Sequence, residues 1–250
     1  MTPGPGVGLL DAAVLAVLLG ALPVGTLLQA RLLDAEMVGR MERLPVYASS
    51  IAMLVGVAAL AAFPALRSGG AAALGLSPVP DLLSVVLWTA GLTAASLAVM
   101  LVARRIGAAV GAREHPIVRR LLPRTAAERR VFAVLSLAAG VGEEIAYRGY
   151  AILVLVPMLG GVGALVLTSV VFGLLHAYQG VLGIVRTAVV GGVLGAGLLL
   201  SGSLWPCVAA HTLLDLVAGL GPGERLMVPE PDSGVGRTTP PMDEMTRQND

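Results

Sequence analysis

Residues 82–103, LLSVVLWTAGLTAASLAVMLVA, run without a single charged side chain. A helix of about 20 apolar residues crosses the ~30 Å hydrocarbon core of a bilayer. Inside that core every backbone N–H and C=O must be satisfied within the protein, which leaves only helices and closed barrels. Barrel strands alternate polar and apolar residues over roughly ten positions, and this stretch does not. Comparable runs recur at roughly 8–29, 46–66, 131–157, 161–178, 180–200 and 203–220. The expected fold is therefore all-α: a polytopic transmembrane bundle of about seven spans.

Composition agrees. Of 250 residues, 56% are hydrophobic and 13% charged, about half the charged fraction of a soluble domain. The net charge of +1 implies no nucleic-acid partner. The single cysteine, Cys207, excludes an internal disulfide and any multi-cysteine metal site. The N-terminus lacks the basic region of a cleaved signal peptide, so its apolar run reads as the first span.

Between the third and fourth runs lies RRIGAAVGAREHPIVRRLLPRTAAERR, which by the positive-inside rule is cytoplasmic. Parity then gives N-out, C-in, which agrees with Arg31, Arg40 and Arg43 inside and Arg67 alone outside. The expected location is the cell inner (cytoplasmic) membrane, multi-pass, with the lipid bilayer as the surrounding partner. HPIVRRLLPR suggests a short interfacial helix. Gly191 and Gly195 stand at GxxxG spacing, a sign of close helix packing. Residues 1–220 are expected to form one membrane-embedded domain. Residues 221–250, rich in Pro, Gly and charge, are expected to be a disordered cytoplasmic tail.

An ionisable side chain at membrane depth costs several kcal/mol unless it has a partner, a wet cavity or a function. Asp11, Glu143, Glu144, Arg148, His176, Arg186, His211 and Asp215 all fall within the expected spans. Asp11 and Arg186 lie near span ends and can snorkel. On an α-helix, residues four apart share a face. Glu144 can therefore pair with Arg148, while Glu143, five from Arg148, points elsewhere. One carboxylate is held and one is available, which suits general acid–base catalysis. A buried ion network that only locks helices together is the competing reading.

Phe172 and His176 are four apart, as are His211 and Asp215. The latter carboxylate can orient the imidazole, or the two can share a metal or a substrate. His176, near a helix end, reads equally as a packed residue. The acids and histidines of the last four spans together suit a metal site, a metal-free hydrolytic site or a proton relay.

EEIAYR at Glu143–Arg148, FGLLH at Phe172–His176 and HTLLD at His211–Asp215 fall in this order, each in an apolar span. The stretch around residues 130–220 thereby resembles the CAAX protease and bacteriocin-processing (CPBP or Abi) family of intramembrane endopeptidases, with its motifs EExxxR, FxxxH and HxxxN/D. The resemblance implies a bacterial endopeptidase that hydrolyses a membrane-associated peptide, with catalytic residues Glu143, Glu144, Arg148, His176, His211 and Asp215. Glu143 is implied as the base that activates water, and His176 as holding that water or a metal. Phe172 is implied beside the substrate. His211 and Asp215 are implied at the oxyanion, although an ionised Asp accepts hydrogen bonds and repels an oxyanion. Two mechanisms stay open. In one, His176, His211 and a carboxylate such as Glu143 hold Zn²⁺; in the other, Glu143 and His176 activate water with no metal.

A cavity open to the cytoplasmic side is expected, with Glu143, His176 and His211 within ~8 Å of each other, room for a bridging water or metal. Straight helices place Glu143 much deeper than His176. That requires a tilt, a fourth helix starting near Ala126, or a fifth extending past Tyr178. The rival functions are a proton-coupled transporter and a non-catalytic bacteriocin-immunity or scaffold protein.

Overall fold

The computed structural model describes residues 8–77, 81–221 and 223–229; the rest of the expected tail, from residue 230, lies outside them. Each of the seven apolar runs is helical, and no strand occurs among the described residues. The main helices are α1 (Leu9–Leu32), α2 (Arg43–Ser68), α3 (Leu82–Ala109), α4 (Ala126–Glu143), α5 (Leu153–Leu174), α6 (Gly180–Ser201) and α7 (Trp205–Leu220). A π-helical stretch, Glu144–Ile152, joins α4 to α5. Among the described residues, five segments are long and apolar enough to cross a membrane, and α7 is a shorter apolar helix. The chain is a multi-pass helical membrane protein.

Local chemistry sets the helix starts. Asp81 caps α3, accepting from Leu83 N at 3.0 Å and Ser84 N at 3.1 Å. Thr125 and Glu128 form a reciprocal capping box on α4: Thr125 Oγ1 accepts from Glu128 N at 3.1 Å, and Glu128 Oε2 from Thr125 N at 3.0 Å. The box starts α4 at Ala126, a turn before the apolar run itself. This is one of the three expected ways of bringing Glu143 and His176 together.

The helical segment Ala126–Leu174 spans 49 residues. Straight, it would measure about 74 Å, more than twice the hydrocarbon thickness. It breaks at Gly160, where φ 70° and ψ 167° leave helical geometry. Only glycine adopts that conformation without strain.

α4 packs between α2 and α7, while α6 packs between α5 and α3, and α7 also touches α3 and α6. Small residues allow these approaches. A Cβ on Gly140 of α4 would come within 2.1 Å of Thr212 Oγ1 on α7. One on Gly195 of α6 would meet Leu165 Cδ1 at 2.5 Å, and one on Gly191 would meet Arg148 Nη2 and Phe172 Cδ1, each at 3.1 Å. The GxxxG pair thus seats α6 against α5 and the π-helical stretch.

Two expectations are corrected. Arg186 does not snorkel: it is 9% exposed, and its Nη1 donates to Glu114 Oε1 at 2.8 Å. The expected short helix in HPIVRRLLPR is present as Pro116–Arg120. Its last two arginines bond backbone carbonyls, Val228 O at 2.9 Å and Met41 O at 2.8 Å. Finally, residues 223–229 are not loose. Gly223–Leu226 is a 3₁₀ turn, and Leu226, Met227 and Val228 are buried.

Candidate active site

The site is built around Glu144, whose carboxylate has no exposed surface. Its Oε1 accepts from Arg148 Nη1 at 2.8 Å and from His211 Nδ1, also at 2.8 Å. A buried carboxylate needs charge-assisted donors to offset its desolvation, and it has two on one oxygen. The α-helical wheel anticipates the Glu144–Arg148 pair, which survives in a backbone of i→i+5 hydrogen bonds. Such π-helical turns recur at functional sites.

The Arg148 guanidinium lies over the Phe172 ring, 4.0 Å from its centroid. Tyr147 and His211 meet the same ring edge-on at 5.7 and 6.1 Å, and the His176 ring lies 5.0 Å away. Phe172 is 2% exposed. The expected substrate contact is therefore mainly a platform that holds a cation and two imidazoles in place.

The structure reassigns the partner of His211. The i, i+4 spacing points to Asp215 as its orienting carboxylate, but Asp215 Oδ2 stands 3.9 Å from Nε2, beyond hydrogen-bond reach. Glu144 holds Nδ1 instead. Since a carboxylate accepts, Nδ1 is the donor, and Nε2 faces Glu143 Oε2 at 3.7 Å as well as Asp215. No sequence-local signal links residues 144 and 211; only the packing of α7 on α4 does.

His176 lies just past the end of α5 rather than on it, with φ −101° and ψ 20°. Its Nδ1 donates to Phe172 O at 2.9 Å, which leaves Nε2 available. His176, His211, Asp215 and Phe172 line one cavity of about 190 Å³, with Arg186 and Gln179. Glu143 is not part of that wall; it meets the cavity through His211 Nε2. Its side chain is 19% exposed, and its Oε2 has no hydrogen-bond partner among the described residues.

Asp11 is likewise tied in: it accepts from Tyr150 Oη at 2.8 Å, while Tyr147 Oη donates to Leu18 O at 3.3 Å. Both tyrosines belong to the π-helical stretch, so α1 braces the stretch that carries Glu144 and Arg148. Sequence reasoning missed these links, whose signal is two tyrosines interleaved with the charged motif.

A zinc ion is one candidate for this donor set. Such sites take three or four ligands, His through a ring nitrogen and acids through oxygen. Among the described residues no three His, Cys, Asp or Glu side chains are grouped as a ligand set. His211 and His176 each commit Nδ1 to an oxygen and leave Nε2 free, the arrangement of a metal-ligating imidazole, but no third ligand is grouped with them among the described residues.

No curated protein and no solved structure matches the chain. Residues 126–217 match the family described as Type II CAAX prenyl endopeptidase Rce1-like. That interval contains Glu143, Glu144, Arg148, Phe172, His176, His211 and Asp215. By that match the segment 126–217, with the buried constellation it encloses, is similar to the CAAX protease family, whose members are intramembrane peptidases.

Proposed function

We propose that this protein is an endopeptidase that hydrolyses a membrane-associated peptide with Glu143 as general base. Glu143 accepts a proton from water as the water oxygen attacks the scissile carbonyl. The same proton then passes to the leaving amine as the C–N bond breaks. General acid–base transfer of this kind contributes about 10²–10⁴-fold. His176 offers Nε2 to the attacking water. His211, locked by Glu144, turns Nε2 toward Glu143 and, when doubly protonated, donates it to the oxyanion. Arg148 positions this arrangement by neutralising Glu144. An anionic Asp215 cannot donate to the oxyanion, so its place is to fix the charge of the cavity wall beside His211.

The observation that carries the reading is the division of labour between two adjacent carboxylates. Glu144 Oε1 takes both Arg148 and His211 as donors, whereas Glu143 Oε2 takes neither and stands 3.7 Å from His211 Nε2. The test is cleavage of a library of peptides with apolar C-termini by the reconstituted protein, read by mass spectrometry. Glu143→Gln should lower the rate at least 10²-fold while the protein still inserts. Wild-type rates in that variant would remove Glu143 from the mechanism.

A further inference from the structure

The segment 226–228 is held in the manner of a bound peptide. Arg104 Nε donates to Met227 O at 2.9 Å, and Arg119 Nη2 donates to Val228 O at 2.9 Å. Val228 N donates to Glu114 Oε1 at 3.3 Å. Three side chains thus read main-chain groups of two consecutive residues, which requires no particular sequence in the segment. The Glu114 side chain is itself 2% exposed and fixed by Arg186, which lines the catalytic cavity.

Side-chain seats accompany these bonds. Val228 rests where α3 carries Gly107: a Cβ there would meet Val228 Cγ2 at 2.8 Å and Leu182 Cδ2 at 3.2 Å. Leu226 and Met227 line the same cavity as His176, His211 and Asp215. With the segment in place that cavity is about 190 Å³, below the roughly 300–1,000 Å³ of sites that enclose a small ligand. A substrate peptide therefore needs the volume that the segment occupies.

We infer that Arg104, Glu114, Arg119 and Gly107 form a binding site for an extended apolar peptide beside the catalytic cavity, and that residues 226–228 fill it in cis. The site recognises main chain through two cations and one carboxylate, and an apolar side chain through the bare face of Gly107. A substrate enters by displacing the segment, so these are positioning residues rather than catalytic ones. The inference rests on the peptidase reading for the nature of the displacing ligand, but its test reads binding and not cleavage.

The probe is a fluorescein-labelled peptide of the sequence GERLMVPE, residues 223–230, titrated by anisotropy against the full-length protein in nanodiscs. Its integrity is checked by mass spectrometry. Val228→Asp unseats the chain's own segment and should bind the probe at least tenfold more tightly than wild type. A chain ending at Gly221 should do the same without introducing a new side chain. Adding Arg104→Ala with Arg119→Ala, or Gly107→Leu, to Val228→Asp should lower binding at least tenfold again. In parallel, trypsin should cut after Arg225 at least tenfold faster in Val228→Asp than in wild type. Absent or unchanged probe binding in both opened chains, equal binding after loss of both arginines, or equal trypsin rates would each overturn the inference. Loss of cleavage in Glu143→Gln with intact probe binding, or the reverse, separates this site from the proposed chemistry.

Discussion

The helices before residue 110 and those after residue 125 are about equally apolar, yet they differ in what they bury. In the apolar windows of α1, α2 and α3, 17%, 17% and 11% of residues are buried. The share is 28% for Ala126–Leu174 and 39% for Ala177–Ser201. Apolarity admits a helix to the bilayer; it does not decide whether the helix can enclose a charge. Gly140, Gly142 and Gly195 of the second half face other helices too closely for a Cβ, whereas Gly56 and Gly91 of the first half face open space. The charged constellation lies where small residues let helices close around it.

The largest effect should come from within the second half. Arg148→Ala leaves Glu144 buried beside His211 alone, and breaking a buried pair on one side costs about 3–5 kcal/mol. Thermal unfolding in detergent should show this as a fall in Tm, with cleavage lost as well. A variant as stable as wild type would mean that His211 suffices as counter-charge. Next comes Gly140→Val, which places new carbons against Thr212 and should cost about 1–3 kcal/mol through overpacking. Gly56→Val at an open position of α2 should be far milder, and equal costs for the two would break the comparison.

Thr125→Ala removes the cap that starts α4 and should cost about 1 kcal/mol. Restoration by Thr125→Ser would attribute the loss to the hydroxyl. Smallest should be Arg67→Ala in the first half. This exposed residue has its guanidinium 5.5 Å from the Phe63 ring centroid, and its loss should move Tm by no more than about 1–2 °C. A larger shift would show that the first half also stores charge energetics.

Much of this was legible along the chain. Apolar run length marks the helices, and the i, i+4 spacing gives the Glu144–Arg148 pair and leaves Glu143 over. What was not legible depends on non-local packing. Asp215 is four residues from His211, but Glu144 captures its Nδ1 because α7 lies against α4. Arg186 read as a snorkelling cation because nothing nearby in sequence announces Glu114. The Leu-Met-Val run in the expected tail was a local hint of burial, outweighed by its Pro- and Gly-rich flanks. The π-helical turn at Glu144–Ile152 leaves no periodicity that nine residues could reveal.

The short distance along the chain between Glu144 and Arg148 also bears on how the protein is made. The two lie four residues apart, so they reach the bilayer together and enter it as a neutral unit. His211 arrives 67 residues after Glu144. Until α7 is synthesised and docks, a nascent chain carries a shielded Glu144 but lacks the His211 imidazole beside Glu143. On the proposed chemistry, a partly made chain can sit safely in the membrane, and hydrolytic competence is acquired only with α7.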